Sequence, residues 1–174
     1  MRLLAYSYVG SREIRQRSLG TPGTPVTSAL ALRSWLSVQP EAFSEGATYV
    51  VDLLGRLRLA PRRSEHVACA DGEEVLAAGE LRFRLDAGQP SVAEVSNLST
   101  GYCPDVTCWA VVARALAPLG LHSPTGFTGA MDFRRCLACG EVTLVKERWF
   151  VCTFCDADLP SDWNVSLARE VDVE

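Results

Sequence analysis

The sequence predicts an α+β fold: a mainly antiparallel sheet with one long and one short helix, followed by a small cysteine-rich unit. Three observations carry this reading. Short alternating apolar stretches at residues 3–9, 47–60, 75–85 and 92–98 are separated by turn residues, so neighbouring strands pair through hairpins. Helical periodicity is confined to two places, after Thr27–Ser28 and after Asp105. Four of the seven cysteines lie in two C-x2-C pairs near the C-terminus. At 174 residues and 48% apolar composition, the chain can bury a core of about 130 residues and still leave a small unit outside it.

Residues 3–9 read as a strand with Tyr6 and Tyr8 on one face, ended by Gly10. Residues 18–25, rich in glycine, proline and threonine, read as a loop. Thr27 or Ser28 then caps a short helix to Val38, with Leu30, Leu32, Trp35, Leu36 and Val38 as its apolar stripe. Residues 47–54 and 56–60 read as a hairpin or one bulged strand, with Arg56 and Arg58 outward. Residues 75–85 and 92–98 pair across a turn at 86–90. Asp105 caps the long helix, which runs to Leu119 with Trp109, Val112, Ala113, Leu116 and Leu119 inward and Gly120 as its stop. These elements form one domain over residues 1–122. A Pro/Gly linker at 123–129 leads to the cysteine unit at 130–164, and 165–174 reads as a short acidic tail.

In the cysteine unit, Cys136 and Cys139 form the first pair and Cys152 and Cys155 the second, with a twelve-residue insert between them. Four soft thiolates around one point suit a zinc ion, which accepts tetrahedral ligands without imposing a geometry of its own. Four protein sulfurs leave no open position for water, so the expected Zn2+ is structural, one per chain. The insert has the parts of a hairpin: residues 142–145 as one strand, Lys146–Glu147 at the turn and residues 149–151 as the return. This is the arrangement of a zinc ribbon with four cysteine ligands. The alternative is two disulfides or redox pairs, but no βαβ pattern of thioredoxin type surrounds either pair. The other cysteines, Cys69, Cys103 and Cys108, are odd in number, which points to a reducing, cytoplasmic compartment. The first residues do not form an export signal, and the longest apolar run, near 109–119, falls short of the ~18 residues a membrane span needs.

Net charge is −4 and unevenly spread, with nine arginines against four acids in residues 1–63 and an acidic excess beyond. The cysteine unit holds Arg134, Arg135, Lys146 and Arg148 against six acids, which makes it a poor DNA clamp. P-loop, Rossmann, serine-elbow and metallohydrolase motifs are all missing. A zinc deaminase needs H-x-E followed by P-C-x-x-C, whereas here the order is Glu65–His66 and the spacing Cys103-x4-Cys108.

Two polar turns stand at strand ends, where side chains can be presented: Ser64–Glu65–His66, and the stretch STGYCP at residues 99–104. Between them lies Ala77–Ala78–Gly79–Glu80–Leu81. This order, over residues 47–120, resembles a block in the plant calmodulin-binding proteins that carry an IQ motif. There a His-Ser turn precedes an AAGEL-like strand, and a later SGHYxP turn precedes a helix. The Gly-His-Tyr of that family stands here as Thr-Gly-Tyr or Gly-Tyr-Cys, and the chain has no IQ motif. What the resemblance implies is a shared fold.

Three functional expectations follow. The first is a protein-binding adaptor or accessory subunit, since the ribbon hairpin carries Lys146, Arg148, Trp149 and Phe150 with Trp163 on its flank, a composition typical of interface hot spots. The same aromatics could instead cover the ribbon's own small core. The second is an enzyme in which Cys103 is a nucleophile paired with His66 and oriented by Glu80 or Glu65, with Ser99 and Tyr102 lining the site. In the bland alternative Ser99 makes turn hydrogen bonds, Tyr102 packs and His66 satisfies a buried carbonyl. The third is single-stranded nucleic-acid binding through the ribbon aromatics.

Overall fold

The computed structural model describes residues 2–166 and 169–172. After β1 (Arg2–Ala5), α1 (Arg12–Ser18) and β2 (Thr24–Pro25), the chain forms α2 (Ala29–Val38) and the hairpin of β3 (Ala47–Val51) and β4 (Leu57–Pro61). The single-turn α3 (His66–Cys69) precedes a second hairpin, β5 (Ala77–Asp86) and β6 (Gln89–Val95). Then come α4 (Trp109–Leu116), β7 (Asp132–Arg135), β8 (Val142–Val145) and β9 (Arg169–Asp172). The fold is α+β with antiparallel pairing in every named ladder.

Five strands form the main sheet in the order β2-β4-β3-β5-β6. Every residue of β3 is buried because helices cover both faces. On one face α4 packs across β3, β4 and β5, and Trp35 of α2 meets Phe83. On the other, α3 lies on β3 and β4 with α1 behind it. Thr48 points that way, its hydroxyl donating to the Arg62 and Ser64 carbonyls at 3.1 and 3.2 Å. The sheet's edges are guarded: β2 carries Pro25, and the N–H of Val92 and of Val95 donate to the His122 carbonyl and the Thr128 hydroxyl. Residues 123–129, expected as a linker, therefore cover an edge strand together with His122.

Local signals account for most elements. Ser28 caps α2, its hydroxyl accepting from the Ala31 N–H at 3.2 Å. The 86–90 turn is a two-residue loop with Ala87 and Gly88 both at positive φ, the twist that joins right-handed strands. Arg56 and Arg58 both reach Asp52, at 2.8 and 2.9 Å, and hold its carboxyl below the usual range against the opposing effect of burial.

Several expectations are corrected. Leu30 and Val38 of α2 are exposed, leaving Leu32, Trp35 and Leu36 as the buried face. The long helix is three pieces: a 3-10 turn at Val106–Cys108, α4, and a 3-10 turn at Ala117–Leu119, where Pro118 cannot donate an α-helical bond. Its buried face is Val111, Val112, Ala115, Leu116 and Leu119; Trp109 instead lies edge-on to Phe127. α1 has no apolar stripe to announce it, and Arg15 fixes it by donating to the Gly72 carbonyl. Much of the expected tail is structured: Val165 is buried, and β9 pairs with β1 from Arg2↔Asp172 to Ala5↔Arg169. Residues 167–168 and 173–174 of that tail lie outside the described residues.

The ribbon pairs differently from expectation. β8 is partnered by β7, which precedes the first cysteine pair, and the Cys136–Cys139 knuckle forms the turn between them. Residues 149–151 make isolated bridges, Lys146↔Trp149 and Val151↔Asp158, rather than a return strand.

Candidate metal centre and polar turns

The two knuckles are near copies of one another. Cys136 N–H donates to the Glu141 carbonyl and Gly140 N–H to the Cys136 carbonyl; Cys152 N–H donates to Ala157 and Asp156 N–H to Cys152. Gly140 and Asp156 occupy the same left-handed position, at φ 80° and 60°, which lets each chain fold back over its first sulfur. Cys136 and Cys152 are buried and Cys139 and Cys155 exposed, so the centre lies at the ribbon's rim.

All four sulfurs lie within 4.8 Å of one another. Cys136 Sγ is 3.6 Å from Cys155 Sγ, and Cys139 Sγ is 3.7 Å from Cys152 Sγ. A disulfide needs about 2.0 Å. Four sulfurs bonded at about 2.3 Å to a tetrahedral ion are about 3.8 Å apart, which matches these separations. The Cys139 main-chain N–H, foremost among several hydrogen bonds, brings the Cys136 thiol down to about 6, and Phe154 N–H donates to Cys152 Sγ at 3.4 Å. The four cysteines are thus arranged to hold a metal ion, and their donor set and spacing are compatible with zinc.

The ribbon's core is small. Phe150 and Ala157 pack against Cys136, Val145, Cys152 and Leu159, and the Arg134 guanidinium lies 5.5 Å from the Phe150 ring centre. The half of the aromatic reading that gave the ribbon's aromatics to its core therefore fits Phe150. Trp149 is 71% exposed, beside exposed Arg148 at the tip, and the knuckle residues Leu137 and Phe154 are 79% and 65% exposed. Those two lie at x positions of the C-x2-C pairs, which a knuckle turns outward, and that spacing was the available signal for them. Trp163, expected on display, is instead tied down: its indole N–H donates to the Cys103 carbonyl at 2.8 Å, and its ring meets Tyr6 edge-on at 5.3 Å.

Each polar turn is tied to nearby main chain. His66 Nε2 is 2.9 Å from the Gly79 carbonyl, which only accepts, so Nε2 carries the proton. Gly79 is required there, because a Cβ would collide with the Ser96 carbonyl. The next residue, Asn97, is fully buried and donates from Nδ2 to the Pro104 and Met131 carbonyls at 2.9 and 2.8 Å. Glu80 pairs with Arg62 at 2.6 Å and lines a cavity of about 250 Å³ with Glu45, Arg82, Glu94 and Thr128. Glu65 is exposed.

Cys103 and His66 have their bonds elsewhere. The Cys103 thiol donates to the Thr100 carbonyl at 3.3 Å, and burial pushes it up to about 12, opposed by Arg135. Cys103 also sits at φ 47° directly before Pro104, its N–H bonded to the Ser99 carbonyl at 2.7 Å. Ser99 is buried and its hydroxyl accepts from Tyr102 N–H at 3.3 Å. Tyr102 is fully buried and its hydroxyl donates to the Glu73 carbonyl at 2.6 Å. Ser99 and Cys103 thus bond within the turn, Tyr102 ties it to Glu73, and its far side packs on Phe133 and Val165 of the ribbon region.

Burial lowers His66 to about 4, with Arg62 adding to the effect and the Gly79 bond opposing it. The unfolded chain protonates a histidine near 6.5, so between about pH 6.5 and 4 the unfolded state binds the extra proton and stability falls as pH falls. The predicted loss is about 3 kcal/mol across that window. It is read as the difference between urea-unfolding curves of the protein and of His66→Gln, which should lack this component. Equal pH slopes for the two would contradict it.

No protein-family model, no curated protein and no solved structure matches this chain. Among the described residues no helix is long and apolar enough to cross a membrane.

Proposed function

We propose that the chain is a zinc-stapled protein-binding module of the cytoplasm, serving as an adaptor or accessory subunit. The observation that supports it is the exposure of Leu137, Trp149 and Phe154 on a ribbon whose own core uses other residues. An exposed tryptophan next to arginine is the composition of interface anchors. The four cysteines hold the surface rigid, and a Zn2+ ion in a site without an open position does no chemistry of its own. For catalysis by Cys103 the thiol would need lowering, whereas its surroundings raise it.

The test is quantitative co-purification with tagged protein and with the Trp149→Ala/Phe154→Ala double variant. The variant should keep its metal and fold and lose partner recovery by about 30-fold or more, the size of a 2 kcal/mol hot spot. Recovery by the variant equal to that of the unaltered protein contradicts the reading. Binding that collapses as salt is raised would assign the same aromatics to nucleic acid, since phosphate contacts are salt-dependent and apolar ones are not.

A further inference from the structure

Among the described residues β8 is laddered with β7 alone, while just past its end Lys146 bridges Trp149 on the opposite edge. The direction of its main-chain groups follows from a single bond. Cys136 N–H donates to the Glu141 carbonyl at 2.8 Å, and the register pairs Arg135 with Val142, Arg134 with Thr143 and Phe133 with Leu144. Bonded and non-bonded pairs alternate along an antiparallel ladder. Thr143 and Val145 therefore direct N–H and C=O at β7, and Val142 and Leu144 direct theirs away from it. On β7 the outward groups of Arg135 are covered: its N–H donates to Asn164 Oδ1 at 2.9 Å and its carbonyl accepts from Asn164 Nδ2 at 2.8 Å. Among the described residues nothing hydrogen-bonds in this way to Val142 or Leu144. The sequence of β8, Val-Thr-Leu-Val, also lacks the charge or proline that usually blunts an edge.

A groove of about 320 Å³ borders this strand. Thr100, Cys103 and Phe133 form the side towards the main sheet, and Thr153 and Phe154 the side towards the second knuckle. The side chains of Val142 and Leu144 join the Cys103 and Phe133 cluster, and Thr143 Oγ1 meets Thr153 Oγ1 at 2.8 Å. The groove is thus flanked on both faces of the strand. Among the described residues Lys146 is its one charged lining residue.

We infer that this groove accepts an extended segment of a partner protein, which adds to β8 as a third strand and sets an acidic group against Lys146. Side chains of an added strand alternate between faces. One set would meet Thr100 and Cys103 and the other Thr153 and Phe154, so apolar residues two apart are selected. Main-chain bonds to Val142 and Leu144 supply the register, as in other strand-addition complexes. A second copy of this chain fits poorly, because its own β8 is recessed between the same two walls. The inference rests on the protein-binding reading above and names the kind of partner.

The zinc-loaded full chain is panned against displayed random linear peptides, and amide hydrogen exchange is then measured with the best binder. Enriched peptides should carry apolar residues two apart with an Asp or Glu towards one end. The Val142 and Leu144 amides should exchange at least about 10-fold more slowly when the peptide is bound. Lys146→Glu should weaken binding about 10-fold and shift selection towards basic peptides. Thr100→Arg, which fills the groove without touching the ladder, should abolish binding while zinc content is kept. Peptides that depend on Trp149 and Phe154 but leave Val142 and Leu144 exchange unchanged would overturn strand addition and leave the binding module standing. Binding indifferent to all of these residues would overturn both. Protection of the two amides that grows with protein concentration in the absence of peptide would replace the partner by a second copy and overturn the inference.

Discussion

Cys152→Ser is expected to unfold the ribbon while the main sheet stays folded. Two of the four residues at the ribbon's centre, Cys136 and Cys152, belong to the set arranged to hold the metal, so little apolar core would be left without it. Structural zinc contributes an apparent ~10–16 kcal/mol in small peptides, more than such a core could replace. The β7–β8 pair and the segment that returns over it should open together, since Arg134 donates to the carbonyls of Pro160 and Ser161 and Arg135 to that of Val165. The buried cluster of the sheet domain runs from Ala5 through Leu119 and excludes all four cysteines of the metal centre. Limited proteolysis should therefore cut between residues 121 and 166 and spare 12–118. Cleavage spread evenly through the chain would mean that the sheet depends on the metal as well.

Asn97→Ala should cost about 4 kcal/mol, the second largest effect expected. Asn97 sits where the end of β6, the start of the long helix and the entry to the ribbon meet. Its Oδ1 accepts from Met131 N–H at 2.7 Å, and its Nδ2 donates to the Pro104 and Met131 carbonyls. Alanine would leave one N–H and two carbonyls without partners in a buried place, each costing roughly 1–3 kcal/mol. For a chain of this size the corresponding fall in Tm is about 10 °C. Calorimetry checks it, and a fall of only a degree or two would show that water takes over these bonds. Asn97→Asp, which keeps the acceptor but turns a buried carboxylate onto the Pro104 and Met131 carbonyls, should cost at least as much at neutral pH.

How much of this can be read from the residues depends on the range of each signal. Ser28 before an apolar helix, the hairpin around Ala87–Gly88, and cysteines spaced two apart are local, and the structure has each where the spacing puts it. The partner of β8 is hidden because Asp132–Arg135 carries two arginines and looks solvent-facing, whereas both guanidiniums are bound by carbonyls of the returning segment. β9 reads as a tail because its charged sequence gives no hint of β1, at the far end of the chain. The STGYCP stretch illustrates another limit. Serine, threonine, tyrosine and cysteine in a turn look the same in sequence whether they face a substrate or satisfy the turn. Here Ser99, Tyr102 and Cys103 are bonded within the protein, and a positive φ before proline records the tightness of that turn.

The metal centre is tested most directly by X-ray absorption at the zinc edge on purified protein, with metal stoichiometry from the same sample. The expected result is one zinc per chain with four sulfur neighbours at about 2.3 Å and no oxygen or nitrogen in the shell. Protein that is folded but metal-free, a shell with fewer than four sulfurs, or Cys136 and Cys155 joined as a disulfide would contradict it.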